Sequence, residues 1–179
     1  MHGIIFNQLQ KYVTTRLGAE AWSTLLAESG KRGTVYLPSQ EYPDADIVSL
    51  VVTACKITGK PAAQLLEDFG SFLVPDLVKI YGAAIRPEWR TIDLIENAET
   101  SIHTVVRLKN PGAQPPKLTV RRDSPQSVEV TYASPRKMCA VAKGIARGIA
   151  THYREQLRVQ EDTCMLAGAP TCKLRFSVP

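Results

Sequence analysis

The chain has 179 residues, of which 44% are hydrophobic and 22% charged, and its formal net charge is +5 at pH 7. This composition is typical of one globular domain and excludes a chain that is mostly disordered. No apolar run approaches the roughly 20 residues that span a bilayer and no secretory leader is recognisable, so we expect a cytoplasmic protein without a membrane partner. Basic residues are scattered among acidic ones, which argues against nucleic-acid binding and leaves a docking surface for an acidic partner open.

The first half of the chain is predicted to be helical, because its apolar residues recur every three or four positions. A turn-rich connector over residues 30–44 and the helix-breaking residues Gly59 and Pro61 divide it into segments. The predicted helices cover residues 1–17, 19–29, 47–57, 62–81 and the stretch from Arg90 to the N-P-G sequence at 110–112.

In the second half apolar residues alternate with polar ones, and this period of two indicates β-strands. Two predicted hairpins, the first turning at D-S-P-Q over residues 123–126, flank a predicted helix from Lys137 to about Gln156. Gly144 and Gly148 lie inside this helix at a cost of about 1 kcal/mol each relative to Ala, and indicate close approach of another backbone or of a flat ligand. The predicted strands lie around residues 118–120, 128–132, 157–165 and 171–178. The fold class is therefore α+β, with a helical N-terminal half packed on a C-terminal four-stranded antiparallel sheet with an intervening helix.

Three polar side chains follow at two-residue spacing in the run V-E-V-T-Y-A-S-P-R, namely Tyr132, Ser134 and Arg136. Alternate side chains of a strand share one face, so we expect these three to point the same way. A phenol, a hydroxyl and a guanidinium offer several donors to one anion, and the guanidinium suits a carboxylate bidentately. The spacing predicts a carboxylate clamp, with a solvated strand end as the other interpretation.

Five sequence elements follow one another in an order that is characteristic of one family. They are the opening M-H-G-I-I-F-N, the tract T-G-K-P-A-A-Q-L-L-E-D-F-G, a lone His103 in a helical segment, the P-P-K-L strand start and the run Y-A-S-P-R. With these elements the chain resembles the haem nitric oxide/oxygen binding family, H-NOX, and in particular its stand-alone bacterial members. The resemblance implies one haem-binding sensor domain over residues 1–179, with a distal helical subdomain at 1–60, a proximal subdomain at 61–179 and the haem between the layers.

Haem is a flat apolar macrocycle with two carboxylates at one edge, so a site with one histidine needs an axial imidazole, an apolar slot and an anion clamp. The resemblance implies that His103 binds the iron of haem b and that Tyr132, Ser134 and Arg136 hold the propionates. On a helical wheel His103 lies at the edge of the apolar stripe of its predicted helix. A boundary histidine that is hydrogen-bonded to a neighbour remains the alternative.

Two further positions are implied by the resemblance. Pro116, in P-P-K-L, matches the proline that presses on the macrocycle and distorts it, although a proline at a strand edge needs no such role. Gly70 matches a glycine near the proximal helix, and a packing glycine is the alternative.

The distal side of the predicted haem pocket determines which gas binds. In family members that bind dioxygen stably, a distal tyrosine on the helix after Y-x-S-x-R donates a hydrogen bond, and Val141 occupies that position here. Nitric oxide binds ferrous haem strongly without such a donor. The resemblance therefore implies a nitric oxide sensor that excludes dioxygen. Other apolar pocket candidates, each of which could be plain core, are Ile5, Leu9 and Ile145.

The resemblance also implies the output of the sensor. Nitric oxide weakens the bond to the proximal histidine, the strained macrocycle relaxes, and the helical half shifts against the sheet half. Stand-alone bacterial members regulate a histidine kinase or an enzyme of cyclic-di-GMP turnover in trans, and we expect such a partner here. The sequence contains no H-E-x-x-H or G-x-S-x-G element, so we expect that the chain is not an enzyme.

Four cysteines leave a second chemistry open. Cys55 is expected to be an inert buried thiol. Cys139, Cys164 and Cys172 could bind zinc with Glu161, and a subset of the resembled family carries a cysteine-rich zinc site in this region. The fourth ligand of such sites is often histidine, so the pattern is incomplete, and free thiols or a Cys164 to Cys172 disulfide stay open. The alternative functions are a haem-free thiol or zinc redox module of the same fold, a hydrolytic zinc enzyme and a binder of another carboxylate ligand.

Overall fold

The structure is a computed structural model that describes all residues from 1 to 179. Helices form the first part of the chain, and four strands with one intervening helix follow, as the sequence predicts. The α-helices are α1 (Gly3–Leu17), α2 (Ala19–Glu28), α3 (Asp44–Thr58), α4 (Ala62–Tyr81), α5 (Thr91–Glu96), α6 (Thr104–Lys109) and α7 (Cys139–Tyr153). The strands are β1 (Lys117–Ser124), β2 (Ser127–Ala133), β3 (Arg158–Thr163) and β4 (Cys172–Ser177). Three short turns of other helical types lie at Gly82–Ala84, Ala98–His103 and Met165–Ala167. The prediction of an α+β fold is confirmed.

The chain divides into two compact units, and the boundary falls inside α4 between Leu65 and Leu66. The first unit consists of Met1–Leu65 with Gly112–Gln114, and the second of Leu66–Pro111 with Pro115–Pro179. None of the helices is long and apolar enough to cross a membrane. The division of one sensor domain at residues 60 and 61 and the cytoplasmic location stay predictions.

Aromatic side chains build the core of the first unit. Phe6 on α1 stacks on Tyr36 with ring centroids 4.0 Å apart, and Tyr42 meets both rings edge-on. Burial and the neighbouring Asp46 carboxylate raise the pKa of Tyr36 to about 12. These contacts anchor α1 against the connector that precedes α3.

The second unit is built on an antiparallel sheet with the strand order β1-β2-β4-β3. Alternate residues of the two central strands are buried, as expected for a sheet with one face in the core. The buried cross-strand pairs are Val128 with Phe176, Val130 with Leu174 and Tyr132 with Cys172. Val128, Val130 and Tyr132 therefore share the buried face of β2, as the alternation of the sequence predicts.

Close approach of two backbones joins α4 to α7 in the second unit. A Cβ atom added at Gly144 would collide with the backbone of Glu67, and one added at Gly148 would lie 2.9 Å from the carbonyl oxygen of Ser71. The Ser71 hydroxyl also donates a 2.8 Å hydrogen bond to the Gly144 carbonyl oxygen. The two helix glycines thus allow another backbone to approach, as the sequence predicts.

The prediction of one continuous helix after Arg90 is wrong. The segment consists of α5, a π-helical turn over Ala98–His103 and α6. The Asn97 side chain donates a 2.9 Å hydrogen bond to the Asp93 carbonyl oxygen, and such local bonds compete with helix continuation. A π-helical turn accommodates one extra residue, so a wheel of constant angle per residue does not describe the surroundings of His103.

The helix predicted from Lys137 to about Gln156 is shorter than expected. It runs from Cys139 to Tyr153, because Lys137 and Arg154 both adopt positive φ, of 51° and 57°. Left-handed residues do not continue a right-handed helix. Met138 therefore precedes α7, although the predicted helix included it.

Candidate functional site

The buried end of β2 carries the first two residues of the predicted clamp. Tyr132 is 3% exposed and Ser134 is 5% exposed, and their side chains hydrogen-bond to each other. Burial raises the pKa of Tyr132, so the phenol keeps its proton at neutral pH. The two hydroxyls form a polar pair at the edge of an apolar core.

The third clamp residue does not continue the strand. β2 ends at Ala133, and Arg136 lies in the turn that follows, although all three residues were expected to share one strand face. The Arg136 N–H donates a 3.3 Å hydrogen bond to the Ser134 hydroxyl, and the Lys137 N–H donates to the Ser134 carbonyl oxygen at 3.1 Å. The turn holds the backbone of Arg136 beside Ser134, and the joint role of the three residues as a clamp stays a prediction.

His103 ends the π-helical turn, and its imidazole is mostly buried, with 16% of the side chain exposed. Its Nδ1 lies 2.9 Å from Oε2 of Glu99, four residues earlier. Since a carboxylate accepts the Nδ1 proton, the opposite nitrogen, Nε2, is the one that can bind a metal. This tautomer is the one that an axial haem ligand needs.

Glu99 is the residue that sequence reasoning missed. Its Oε1 accepts a 2.6 Å hydrogen bond from Arg107, and its Oε2 accepts a 3.0 Å bond from the backbone N–H of Leu118 in addition to the bond from His103. Although burial raises its pKa, these bonds outweigh that effect and lower the pKa of Glu99. Burial lowers the pKa of His103, so the pair consists of a neutral imidazole and an ionised carboxylate at neutral pH. A carboxylate one helical turn before a histidine was the signal available in the sequence.

A chain of contacts connects the histidine to the clamp. Glu99 bonds both to His103 and to the Leu118 backbone, and Leu118 lies opposite Tyr132 in the pairing of β1 with β2. Pro116 lies two residues before Leu118, just ahead of β1, and is half-buried. The structure therefore places His103, Pro116 and the clamp within one unit, around two paired strands.

Gly70, Val141 and Ile145 meet where α4 approaches α7. A Cβ atom at Gly70 would collide with the Val141 carbonyl oxygen and lie 2.9 Å from the Ile145 backbone nitrogen. Close packing against α7 is therefore enough to explain a glycine at position 70, and the role of Gly70 beside a proximal helix stays a prediction. Ile5 and Leu9 lie on α1 in the first unit, where Leu9 is buried and Ile5 is half-buried.

Three cysteine sulfurs converge at the start of α7 and the β3 to β4 connection. The Sγ atoms of Cys139 and Cys164 are 3.8 Å apart, those of Cys164 and Cys172 are 4.0 Å apart, and a Glu161 carboxylate oxygen lies within 4.8 Å of all three. Tetrahedral zinc with sulfurs at about 2.3 Å separates them by about 3.8 Å, so the cluster has the dimensions of a zinc site. Glu161 also pairs with Lys143 at 3.4 Å.

The thiols of the cluster are free, and so is Cys55. Burial raises the pKa of both Cys139 and Cys172, which keeps them protonated unless a cation binds. Cys55 is half-buried on α3 instead of fully buried as expected.

The donor set fits haem. An imidazole held by a carboxylate would supply the axial nitrogen, and the buried hydroxyl pair would supply donors for carboxylates, to which Arg136 in the following turn would add a guanidinium. Partly buried apolar side chains also pack against the core beside these groups: Ile102 directly precedes His103, and Leu118 lies opposite Tyr132 in the pairing of β1 with β2.

Comparison with known proteins gives a family match over most of the chain. The family model described as Haem-NO-binding matches residues 2–161. A curated relative, the soluble guanylate cyclase gcy-31 of Caenorhabditis elegans, is 22% identical over 138 residues, which are 76% of this chain and 20% of that protein. The chain therefore spans about a fifth of the length of this relative.

Solved structures match over the full length. The crystal structure of an H-NOX protein from S. oneidensis in the Fe(II)NO ligation state is 26% identical, covers 100% of this chain and 99% of that chain, and has a TM-score of 0.92. The Fe(II) unliganded H-NOX protein from K. algicida is 20% identical, with 100% and 97% coverage and a TM-score of 0.89. The second similarity shows the fold alone.

Proposed function

Since the chain belongs to the Haem-NO-binding family of haem-binding gas sensors, we propose that it binds haem b through His103 and senses nitric oxide. The observation that carries this proposal is the His103 to Glu99 hydrogen bond, which leaves Nε2 for an iron. The buried hydroxyls of Tyr132 and Ser134 support it as well, because Tyr132 lies on β2, the strand that pairs with β1.

The clamp acts on the carboxylates of haem through three donors. Tyr132 and Ser134 present hydroxyls that are already desolvated, and Arg136 adds a positive charge from the turn. Hydrogen bonds to a charged group contribute about 1.5–3 kcal/mol each where the donors are already in place. In this proposal Pro116 and Gly70 shape the macrocycle side of the site.

Discrimination between gases rests on the residue at position 141. Haem supplies an iron that binds diatomic gases. Val141 offers no side-chain donor to a bound gas, and neither do Ile5, Leu9 or Ile145. We propose that this apolar set excludes dioxygen, which depends on such a donor more than nitric oxide does.

Signalling in this proposal passes to a separate partner. A histidine kinase or an enzyme of cyclic-di-GMP turnover in the cytoplasm is the proposed partner, and no catalytic step is assigned to the chain itself. The chain passes between the two units inside α4 and on either side of residues 112–114. We propose these segments as the places where a change at His103 reaches the first unit.

The experiment that tests the histidine assignment is His103→Gly with and without added imidazole. We expect the variant to lose the axial ligand and to regain a five-coordinate ferrous spectrum when imidazole fills the vacated space. His152→Gly is the matched control, because His152 is exposed near the end of α7. An unchanged spectrum in His103→Gly would overturn the assignment.

A second function is favoured by the cysteine cluster. We propose that Cys139, Cys164, Cys172 and Glu161 bind zinc, because their ligand atoms already lie within 4.8 Å of one another. When zinc is absent, Cys164 is the one partly exposed thiol of the cluster, and reversible oxidation as a second input would start there. Metal analysis should give one zinc per chain that Cys139→Ser removes and Cys55→Ser retains. Equal zinc content in both variants would contradict the site.

A further inference from the structure

We propose that Glu99 is the positioning residue of His103 and sets the strength with which its Nε2 binds the haem iron. This inference rests on the proposed function, because it concerns the same histidine. It goes further in assigning a role to a carboxylate that the sequence did not single out. Three hydrogen bonds converge on this carboxylate.

The geometry fixes Glu99 before any ligand is considered. Oε2 accepts the Nδ1 proton of His103 at 2.9 Å and the backbone N–H of Leu118 at 3.0 Å, and Oε1 accepts from Arg107 at 2.6 Å. Both oxygens are thus engaged, so the carboxylate cannot rotate without breaking at least one of these bonds. The bond from Leu118 ties its position to β1, outside the helical segment.

The hydrogen bond between Glu99 and His103 lies within the π-helical turn. This turn extends from Ala98 to His103 and contains both partners of the hydrogen bond. The Thr104 hydroxyl lies 3.4 Å from the Glu99 carbonyl oxygen, five residues earlier. Turns of this type cost stability relative to α-helix and concentrate at functional sites. A surface ion pair between Glu99 and Arg107 alone would require neither the turn nor the bond to Leu118.

The chemistry follows from the charge of the acceptor. An anionic acceptor at Nδ1 pulls its proton and increases the electron density at Nε2, which makes the imidazole a stronger ligand. Arg107 withdraws part of that charge, so Glu99 strengthens the ligand less than an unpaired carboxylate would. Glu99 also holds the ring through Nδ1 whether or not Nε2 is bound. The imidazole would therefore keep its orientation without a bond from Nε2 to an iron.

The test compares Glu99→Gln, Arg107→Gln and a matched control by resonance Raman spectroscopy of the ferrous protein. Glu99→Gln keeps the shape but loses the charge, and we expect the iron to histidine stretching band to move to lower frequency. Arg107→Gln leaves the carboxylate without its counter-charge, and we expect the band to move to higher frequency. If Glu99 positions His103, the band shifts in opposite directions in the two variants. If Glu99 and Arg107 form only a structural ion pair, its loss shifts the band in the same direction in both.

Glu96→Gln is the control, because Glu96 lies just before the π-helical turn and is bonded to Arg122 at 2.6 Å instead of a histidine. We expect its band to remain at the wild-type frequency. Loss of a hydrogen-bond partner of a metal ligand typically weakens metal binding 10- to 100-fold, so we also expect about that loss in the affinity of Glu99→Ala for haem. A band that does not move in Glu99→Gln would overturn the inference.

The failure of this inference is distinguishable from failure of the proposed function. A wild-type protein without any iron to histidine band would show that His103 is not the ligand. A band at the usual frequency that does not change in the Glu99 variants would keep His103 as the iron ligand. It would contradict only the role assigned to Glu99. A readout without haem is ¹⁵N NMR of the histidine rings, in which we expect the His103 proton on Nδ1 in the wild-type protein. A proton on Nε2 would contradict the hydrogen bond on which the inference rests.

Discussion

Tyr132 and Cys172 lie directly opposite each other in the antiparallel pairing of β2 with β4. Tyr132 belongs to the clamp, and Cys172 belongs to the cysteine cluster. The Tyr132 side chain also bonds to the backbone of Met138, the residue before Cys139. The proposed zinc site and the proposed propionate clamp therefore share the loop between β2 and α7.

The first prediction concerns this shared loop. Zinc at Cys139, Cys164 and Cys172 would fix the start of α7 to the β3 to β4 connection, and so restrain the turn that carries Arg136. We expect removal of zinc by a chelator to speed haem transfer to an excess of apomyoglobin. The same chelator applied to Cys139→Ser, which lacks the full ligand set, should have no further effect. Equal rates of haem transfer with and without zinc in the wild-type protein would contradict this prediction and show that the two sites act independently.

The second prediction concerns the charge of the clamp. Arg136→Ala would remove the proposed charge-assisted contact with a haem carboxylate, and we expect a loss of about 2 kcal/mol, which corresponds to roughly 30-fold weaker retention of haem. Lys137→Ala is the matched control, because Lys137 is the neighbouring exposed cation in the same turn. The dissociation rate of haem from each variant provides the measurement. A control that loses haem as fast as Arg136→Ala would assign the effect to the turn and not to the guanidinium.

The third prediction concerns the contact of α4 with α7. Gly144→Ala forces a Cβ atom into the backbone of Glu67, and overpacking of this kind costs about 1–3 kcal/mol. Gly82→Ala is the control, because a Cβ atom there meets nothing within 4 Å. Urea unfolding should show a lower midpoint for Gly144→Ala alone. Equal midpoints would mean that the two helices adjust without cost.

The fourth prediction is a pH dependence at α5, which precedes the π-helical turn. Although burial raises the pKa of Asp93, hydrogen bonds from Arg122 and from the Arg90 N–H lower it overall. A carboxyl whose pKa is lower in the folded state stabilises the fold above its unfolded pKa, near 3.8, and loses that contribution as the pH falls through the folded pKa. We expect Asp93→Asn to lower the free energy of unfolding at pH 7 and to reduce its loss between pH 5 and pH 2.

Unfolding of Asp93→Asn and wild type across that pH range checks this prediction. Asp123→Asn is a suitable control, because Asp123 pairs with the exposed Arg121 on the surface. A wild-type profile that is parallel to that of Asp93→Asn would show that Asp93 contributes nothing to acid sensitivity.

The strands and the close helix contact were predictable because each depends on a local pattern. Val128, Val130 and Tyr132 alternate with polar residues, and a buried sheet face requires that period. Gly144 was predictable for a similar reason, since a glycine inside a helix needs a compensating contact.

The surroundings of His103 were less predictable. The π-helical turn depends on one extra residue between α5 and α6. The spacing of apolar residues, from which the helices were predicted, does not reveal such an insertion. The three donors to Glu99 come from its own turn, from α6 and from β1, so only the tertiary structure brings them together. The convergence of Cys139 with Cys164 and Cys172 was predicted from the hairpin and the helix start, but its dimensions required the structure.

The visible absorption spectrum of the purified protein tests the central claim most directly. The protein is reduced with dithionite and then exposed separately to nitric oxide and to air. We predict a five-coordinate ferrous haem that binds nitric oxide and forms no stable complex with dioxygen. A protein that is colourless and takes up no added haem would contradict haem binding, and a stable dioxygen complex would contradict selectivity for nitric oxide.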